Sequence, residues 1–221
     1  EAQSTQIGPH RFNRNLPPEA YQAYFSEINQ FAKANQVKEV DLVLAGDIFE
    51  ISRSGIWLEG EHRPYVNNLA IQPGSDVEGI IIKILNAIEA EAKVAETLVA
   101  FRSLNEYFEM TVNLHLILGN HDRLANATPD IRMKVREMFG INERSDRIEN
   151  FQVFMDDHGD PFCLVRHGHE YDPTNFSINV RKMETIPTKF SEETYDKAVL
   201  GDITKSEFGA ALSWLFEKEY G

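Results

Sequence analysis

Three apolar segments of this chain each end in a short polar cluster, and this arrangement restricts the fold more than any other feature. Each segment has the length of a buried β-strand. The segments and their clusters are Val40–Ala45 with Gly46 and Asp47, Val112–Leu118 with Gly119 to Asp122, and Phe162–Arg166 with His167 to His169. Strands that alternate with helical patterns indicate a mixed α/β fold, in which ligand sites gather beyond the carboxyl ends of strands. We therefore expect Asp47, Asn120 and His167 to meet at one edge of a sheet.

The other patterns predict helices, a hairpin and a long loop. Proline is common at the first helical position, and Gly is common directly after a helix. A Ser or Thr followed three residues later by Glu is typical of an N-terminal cap. In chain order we predict a helix that starts at Pro17 and Pro18, a loop over residues 51–78, one helix from about Val77 to Phe108, a helix from Thr128 and Pro129 to Gly140, a hairpin of Phe151–Met155 with Phe162–Arg166, and a last helix capped by Thr204 and Glu207.

The 221 residues are enough for one domain with a substantial core. Within this single domain, residues 1–221, we interpret residues 51–110 as an inserted loop and long helix that form a lid or a substrate-specificity region. Side chains that could line a cleft there are Arg53, Trp57, Arg63 and Tyr65. The alternative for each is a helix or loop that only packs on the domain.

Composition excludes several classes of protein. Asp and Glu number 35 against 22 Lys and Arg, and the net charge of −13 argues against a groove that follows a nucleic-acid backbone. No apolar run approaches the ~20 residues of a membrane helix. Cys163 is the only cysteine, which suits a reducing compartment, so we expect a cytoplasmic protein.

Each polar cluster has a functional and a structural interpretation. Asp47 could bridge two cations through its two carboxylate oxygens, or it could be a turn or cap residue. Asn120 offers a carbonyl oxygen to a cation, and His121 can donate a proton, although such residues also form plain turns. His167 directly follows its strand, so we expect it to point into the site. Because alternate residues of an extended chain face opposite sides, His169 should lie behind the site or at the surface unless Gly168 bends the chain.

Two segments match metal-binding motifs in sequence, but their predicted surroundings do not suit a metal site. Asp156-Asp157-His158 contains Asp-x-His but lies in the predicted hairpin turn, where such residues commonly bond their own backbone. Asp202 repeats the Gly-Asp-Ile of Gly46–Ile48, but it stands between two helical patterns. We interpret the first segment as a turn and Asp202 as a linker residue.

The order of the three clusters resembles the calcineurin-like metallophosphoesterase superfamily. Its motif series is Asp-x-His, Gly-Asp, Gly-Asn-His-Asp/Glu, His and Gly-His-x-His, and the middle three motifs occur here in order, over about Val40 to His169. The segment Gly46–Glu50 is also similar to the bacterial UDP-2,3-diacylglucosamine hydrolase branch. The resemblance implies two mixed β-sheets packed face to face and flanked by helices.

The resemblance also implies a mechanism. Two divalent ions (manganese, iron, zinc, nickel or magnesium) would hold a phosphate ester, and a metal-bound hydroxide would attack phosphorus. Asp47 would bridge the ions, and Asn120 and His167 would complete one site. His121 would donate a proton to the leaving oxygen or stabilise its charge. Asp122 would orient His121 or its loop, or else be a solvated turn carboxylate.

No Asp-x-His precedes Asp47 in this sequence, and no Gly-His-x-His follows His169. We expect the natural protein to carry them beyond Glu1 and Gly221, so the fold is expected to be incomplete at both ends and the chain inactive alone. By itself it would bind at most one ion, weakly. The expected substrate is a phosphorylated small molecule or a lipid-linked phosphate. A non-catalytic interaction scaffold and a nuclease of the same superfamily are the alternatives.

Overall fold

The strands of this chain pair two by two. The computed structural model describes residues 5–7, 9–12, 15–141 and 146–220. The strands are β1 (Thr5–Ile7), β2 (His10–Phe12), β3 (Glu39–Ala45), β4 (Thr111–Ile117), β5 (Phe151–Met155) and β6 (Pro161–Arg166). Within the described residues β1 pairs with β2 and β5 with β6, both antiparallel, while β3 and β4 are parallel. The predicted segments of β3 and β4 and the predicted hairpin are confirmed.

The α-helices account for much of the rest of the chain, so the mixed α/β class is confirmed. They are α1 (Pro18–Ala34), α2 (Asp76–Ala90), α3 (Ala92–Arg102), α4 (Leu104–Tyr107), α5 (Pro129–Met138), α6 (Glu192–Asp196), α7 (Leu200–Thr204) and α8 (Ala211–Tyr220). Thr128 caps α5 as predicted, with its side chain accepting a hydrogen bond from Ile131 N, and Gly140 ends it at φ +66°. No helix in the described ranges is long and apolar enough to span a membrane.

The prediction of one helix from Val77 to Phe108 is wrong. The helix is interrupted at Glu91, whose ψ of 120° is extended, and again at Ser103. Ala and Glu favour a helix, so local preference does not explain the first break. Beyond it α3 packs its Phe101 edge-to-face on Phe25 of α1, whereas α2 packs on α5. The break thus separates a helix that packs on α5 from one that packs on α1, and the two also pack on each other.

The parallel pair β3–β4 sets the position of the candidate site residues. Glu39 lies opposite Thr111 and Ala45 opposite Ile117, so the two strands end side by side. Ile117 also forms a parallel bridge with Glu149, and Leu118 N donates to Glu149 O at 2.9 Å. The chain then enters β5 and returns along β6, which approaches β3. The carboxyl ends of β3, β4 and β6 therefore face a common region.

The core lies between β3–β4 and the helices α1, α2, α3 and α5. It includes Phe25, Ile81, Leu85, Leu98, Phe101, Ile131 and Met138. Trp57 also belongs to it, at 1% exposure, with its Nε1 donating to Ile51 O at 2.8 Å. Of the two alternatives for Trp57, the structure therefore agrees with the side chain that only packs on the domain. Residues 54–75 contain short 3₁₀ turns and no α-helix or strand, which agrees with the predicted loop.

The last helical region departs from prediction at its start. It begins at Leu200, where Asp202 Oδ2 accepts a hydrogen bond from Val199 N at 3.0 Å. Thr204 lies inside the helix and donates to Leu200 O at 2.9 Å, so the predicted cap at Thr204 is wrong. A π-helical segment, Lys205–Ala210, joins α7 to α8. The solvent side of this region carries large apolar side chains: Leu200, Ile203, Phe208, Leu212, Leu215 and Phe216.

Candidate metal centre

The three predicted clusters meet at the carboxyl ends of β3, β4 and β6. His121 N, which follows β4, donates to Asp47 Oδ1 at 3.0 Å. His167, which follows β6, donates from Nδ1 to the backbone oxygen of Ala45 at 2.8 Å. Asn120 is buried beside His121. The three clusters thus lie in one region, where Asp47 contacts both His121 and His167.

The turn after β3 has an unusual backbone. Asp47 adopts φ +52° and Glu50 φ +53°, a left-handed conformation that costs non-glycine residues about 1–3 kcal/mol each. Gly46 is also left-handed, and a Cβ there would lie 2.6 Å from Gly119 N. The two turns can approach this closely only because both positions are glycine.

The Asp47 carboxylate lies between two imidazoles. Its Oδ2 is 3.2 Å from His167 Nε2 and 3.8 Å from His121 Nε2. Burial alone would raise the pKa of Asp47, but the hydrogen bond from His167 and the charge of His121 outweigh it and lower the pKa to about 2. The same hydrogen bond raises the pKa of His167 to about 9. Because His167 Nδ1 is bonded to a carbonyl, Nε2 is the ring nitrogen that faces Asp47, as in histidines that bind metals.

Glu50 is a site residue that the sequence interpretation missed. His121 Nδ1 donates to Glu50 Oε1 at 2.6 Å, which leaves His121 Nε2 on the side of Asp47. Glu50 Oε2 is buried and has no hydrogen-bond partner among the described residues. The sequence does place a carboxylate three residues after Asp47, and this could have indicated Glu50. The left-handed backbone of Glu50 brings its side chain back to the site.

Asp122 holds the strained turn in place. Its carboxylate accepts hydrogen bonds from Ile48 N and Phe49 N, both at 2.8 Å, and the side chain is fully buried. Burial raises its pKa to about 6, and the charges of Asp47 and Glu50 add to this effect. Asp122 is therefore not a solvated turn carboxylate, and the loop that it holds is the turn after β3.

His169 is buried behind His167. Gly168 has φ +97° and bends the chain, so both histidines lie on the inner side. The His169 side chain is 6% exposed and packs against the rings of His167, Phe176 and Tyr195. Burial lowers its pKa to about 4, and the predicted alternative of a surface position is wrong.

Asn120 is fixed by the C-terminal part of the chain. Its Nδ2 donates to Asn175 Oδ1 at 3.1 Å, and its backbone oxygen accepts a hydrogen bond from Lys205 Nζ at 3.3 Å. Asn175 Nδ2 in turn donates to Asp172 Oδ2 at 2.7 Å. Asn175 and Lys205 carried no sequence signal, because neither belongs to a strand-end cluster.

The two segments with misleading letters have structural roles. Asp156 Oδ1 accepts hydrogen bonds from His158 N and Asp160 N, both at 2.9 Å, so the turn prediction is confirmed. Asp202, by contrast, is buried, and its Oδ2 accepts a hydrogen bond from Arg123 Nη2 at 3.0 Å. Its interpretation as a linker residue is wrong, because the partner of its charge is 79 positions away.

A cleft of about 300 Å³ opens beside Asp47. Its walls are mainly apolar and come from the start of α1, the end of β3, and α2 and α3: Leu16, Tyr21, Leu44, Ala45, Ile48, Ile88, Val94, Leu98 and Phe101. Arg63 and Tyr65 are elsewhere, because both contact Glu207 Oε1 at 3.2 Å and attach the long loop to the last helical region. These two residues therefore do not line this cleft, and their contacts agree with the alternative of packing on the domain.

The side chains at this site suit a divalent cation. Asp47, Glu50 and His121 each offer one ligand atom, and these atoms lie within 4.8 Å of one another. The unpartnered oxygen of Glu50 and the oxygen of Asp47 are hard ligands, and the imidazoles supply nitrogen, a mixture compatible with manganese, iron, zinc, nickel or magnesium. In the part of the chain that the structure covers, this is the one such group of His, Cys, Asp or Glu side chains.

Comparison with protein-family profiles, with curated proteins and with solved structures gives no significant match for this chain.

Proposed function

We propose that this chain is part of a metal-dependent phosphoesterase of the calcineurin-like superfamily. One observation carries the proposal: Asp47, His121 and His167 follow three different strands, in the motif order, and their side chains converge within hydrogen-bonding or ion-pair distance. In this interpretation β3–β4 and β5–β6 belong to the two facing sheets of that fold, and residues 1–221 form one domain.

The metal ligands in this proposal are Asp47, Asn120 and His167. A bound divalent cation supplies positive charge for phosphate oxygens and lowers the pKa of a coordinated water. Asp47 contributes an anionic oxygen, and His167 presents Nε2 because Ala45 O holds its other nitrogen. The competing set is Asp47, Glu50 and His121, whose ligand atoms lie within 4.8 Å of one another.

His121 is the proposed acid. Its Nδ1 is bonded to Glu50, so Nε2 is the atom that can give a proton to a leaving alkoxide. The adjacent carboxylate stabilises the imidazolium and orients the ring, as in other carboxylate–histidine pairs. Glu50 therefore acts through His121 in this proposal.

The apolar cleft supports a phosphate ester that has an apolar alcohol, either a small molecule or a lipid-linked compound. Asp47 lines the cleft, so a phosphate at the metal centre would have its alcohol portion within reach of it. Most of the cleft wall on the helical side comes from α2 and α3, within residues 51–110. This supports a role for that segment in substrate choice.

Metal binding tests the proposal first. We expect calorimetry with manganese to show one site of low affinity in this chain, and Asp47→Asn to abolish it, because a neutral amide cannot replace the anion. The control is Asp157→Asn, an exposed aspartate of the β5–β6 turn. Unchanged binding in Asp47→Asn would contradict the ligand assignment.

Activity distinguishes the enzyme from the alternatives. The natural protein should hydrolyse p-nitrophenyl phosphate with manganese. Metal binding without hydrolysis would favour the non-catalytic scaffold, and cleavage confined to DNA or RNA would favour the nuclease.

A further inference from the structure

The Asn120 side chain ends a row of polar groups that begins at Asp172. Thr174 N donates to Asp172 Oδ1 at 2.9 Å, and Asn175 N donates to Asp172 O at 3.0 Å, so the carboxylate is anchored in its own turn. Asp172 Oδ2 accepts from Asn175 Nδ2, and Asn175 Oδ1 accepts from Asn120 Nδ2. The row therefore runs from a carboxylate through two amides.

The carboxylate determines the direction of this row. An ionised carboxylate only accepts hydrogen bonds, so Asn175 must turn its NH₂ group to Asp172 and its carbonyl to Asn120. Asn120 must then turn its own NH₂ group to Asn175. Its Oδ1, the end of the amide that binds hard cations, is left outside the row.

The helix that follows this turn keeps Asn175 in place. Gly201 N donates to Thr174 O at 2.8 Å, and a Cβ at Gly201 would overlap Asn175 Oδ1 and lie 3.1 Å from its Cγ. Lys205, one turn further on, donates to the backbone oxygen of Asn120. Both the side chain and the backbone of Asn120 are thus held by residues 172–205.

We propose that Asn175 is a positioning residue of the metal centre, which presents the carbonyl oxygen of Asn120 to the cation. The inference rests on the proposed function, since it concerns the same ligand. Partners that orient a metal ligand typically change metal affinity by about 10–100-fold when they are removed. Asn175 is placed to do so because the polarity of its amide is set by Asp172 and its location by Gly201.

The test is manganese affinity by calorimetry, with thermal unfolding measured in parallel. We expect Asn175→Ala to weaken binding by about 10–100-fold. Asp172→Asn keeps the shape of the row but lets the amides reverse, so it should also weaken binding while leaving the melting temperature close to that of the natural sequence. Asn179→Ala is the control. Asn179 lies in the same segment, and the side-chain hydrogen bond that the structure gives for it is with Arg181 N.

A double-mutant cycle separates positioning from general damage. If Asn175 acts through Asn120, Asn175→Ala should add less than about threefold to the loss already produced by Asn120→Ala. Equal binding by Asn175→Ala and the natural sequence would overturn this inference alone. Fully additive losses of affinity in Asn175→Ala and Asn120→Ala would also overturn this inference alone. Absence of manganese binding in the natural sequence would overturn the proposed function together with the inference.

Discussion

Two strained residues and one buried carboxylate determine the geometry of the candidate site at the level of single side chains. Asp47 and Glu50 both have left-handed backbones, and between them the N–H groups of Ile48 and Phe49 are bonded by Asp122. Strain of this kind persists only where the surroundings stabilise it, and it is concentrated at functional sites. The turn therefore brings the carboxylates of Asp47 and Glu50 to His121, whereas an ordinary turn would direct them apart.

The role of His121 can be tested with leaving groups. In the natural protein, His121→Gln should keep bound metal and lower turnover by about 10²–10⁴-fold for a poor alkoxide leaving group. The loss should be smaller for a nitrophenyl ester, whose leaving group needs little protonation. Glu50→Gln should show the same dependence on leaving group with a smaller loss, because it removes only the partner of Nδ1. Loss of metal in His121→Gln would instead identify His121 as a ligand.

Among the elements, local signals predicted β3 to β6 and the cap of α5, but neither the breaks between helices nor the start of α7. Apolar runs that end at Gly fixed β3 and β4, and Thr128 with Pro129 fixed the start of α5. The break at Glu91 depends on which neighbours α2 and α3 must contact, and no local pattern carries that information. The same reason explains the site: Asp47, Asn120 and His167 follow strands, whereas Glu50 and Asn175 reach it through tertiary structure.

The packing of α2 on its neighbours has a pH-dependent component. Glu89 on α2 accepts hydrogen bonds from Lys134 Nζ of α5 at 2.6 Å and from Arg102 Nη2 of α3 at 2.8 Å. The hydrogen bond from Lys134 lowers the pKa of Glu89, with a further contribution from Arg102 and partial opposition from burial. The folded-state pKa lies below the unfolded value of about 4.3, so the stabilisation is present above that pH and lost as pH falls through the folded value.

We therefore expect Glu89→Gln to destabilise the chain near neutral pH by about 0.5–1 kcal/mol, the scale of a partly exposed ion pair. The difference from the natural sequence should disappear on acidification. Urea unfolding at several pH values measures it, with Glu96→Gln, an exposed change on α3, as the control. A difference that stays constant down to low pH would contradict the ion-pair explanation.

At the scale of the whole molecule, Arg123 joins the loop before α2 to the segment that leads into α7. Its Nη1 donates to Val66 O, Asn68 Oδ1 and Asp196 O at 2.8–3.0 Å, and its Nη2 donates to Asp202 Oδ2 at 3.0 Å. The guanidinium is buried. It directly follows the turn that carries His121, so the site and the C-terminal part of the chain share this anchor.

Replacement of Arg123 should destabilise the chain by more than any surface change. We expect about 3–5 kcal/mol for Arg123→Met, because the buried Asp202 carboxylate loses its guanidinium partner and several carbonyls lose a donor. Arg123→Lys should also be strongly destabilising, since one ammonium group cannot donate from two nitrogens as the planar guanidinium does. Arg181→Met, at an exposed position, should stay within about 0.5 kcal/mol. A stable Arg123→Lys variant would show that the charge alone is sufficient.

The parallel pairing of β3 with β4 has a consequence for folding kinetics. The bond between His121 N and Asp47 Oδ1 joins residues 74 positions apart, and contacts of such separation form only after a large loop has closed. The centre is thus expected to be complete only after the rate-limiting step of folding. A cation that binds the finished centre would then slow unfolding and leave the refolding rate almost unchanged.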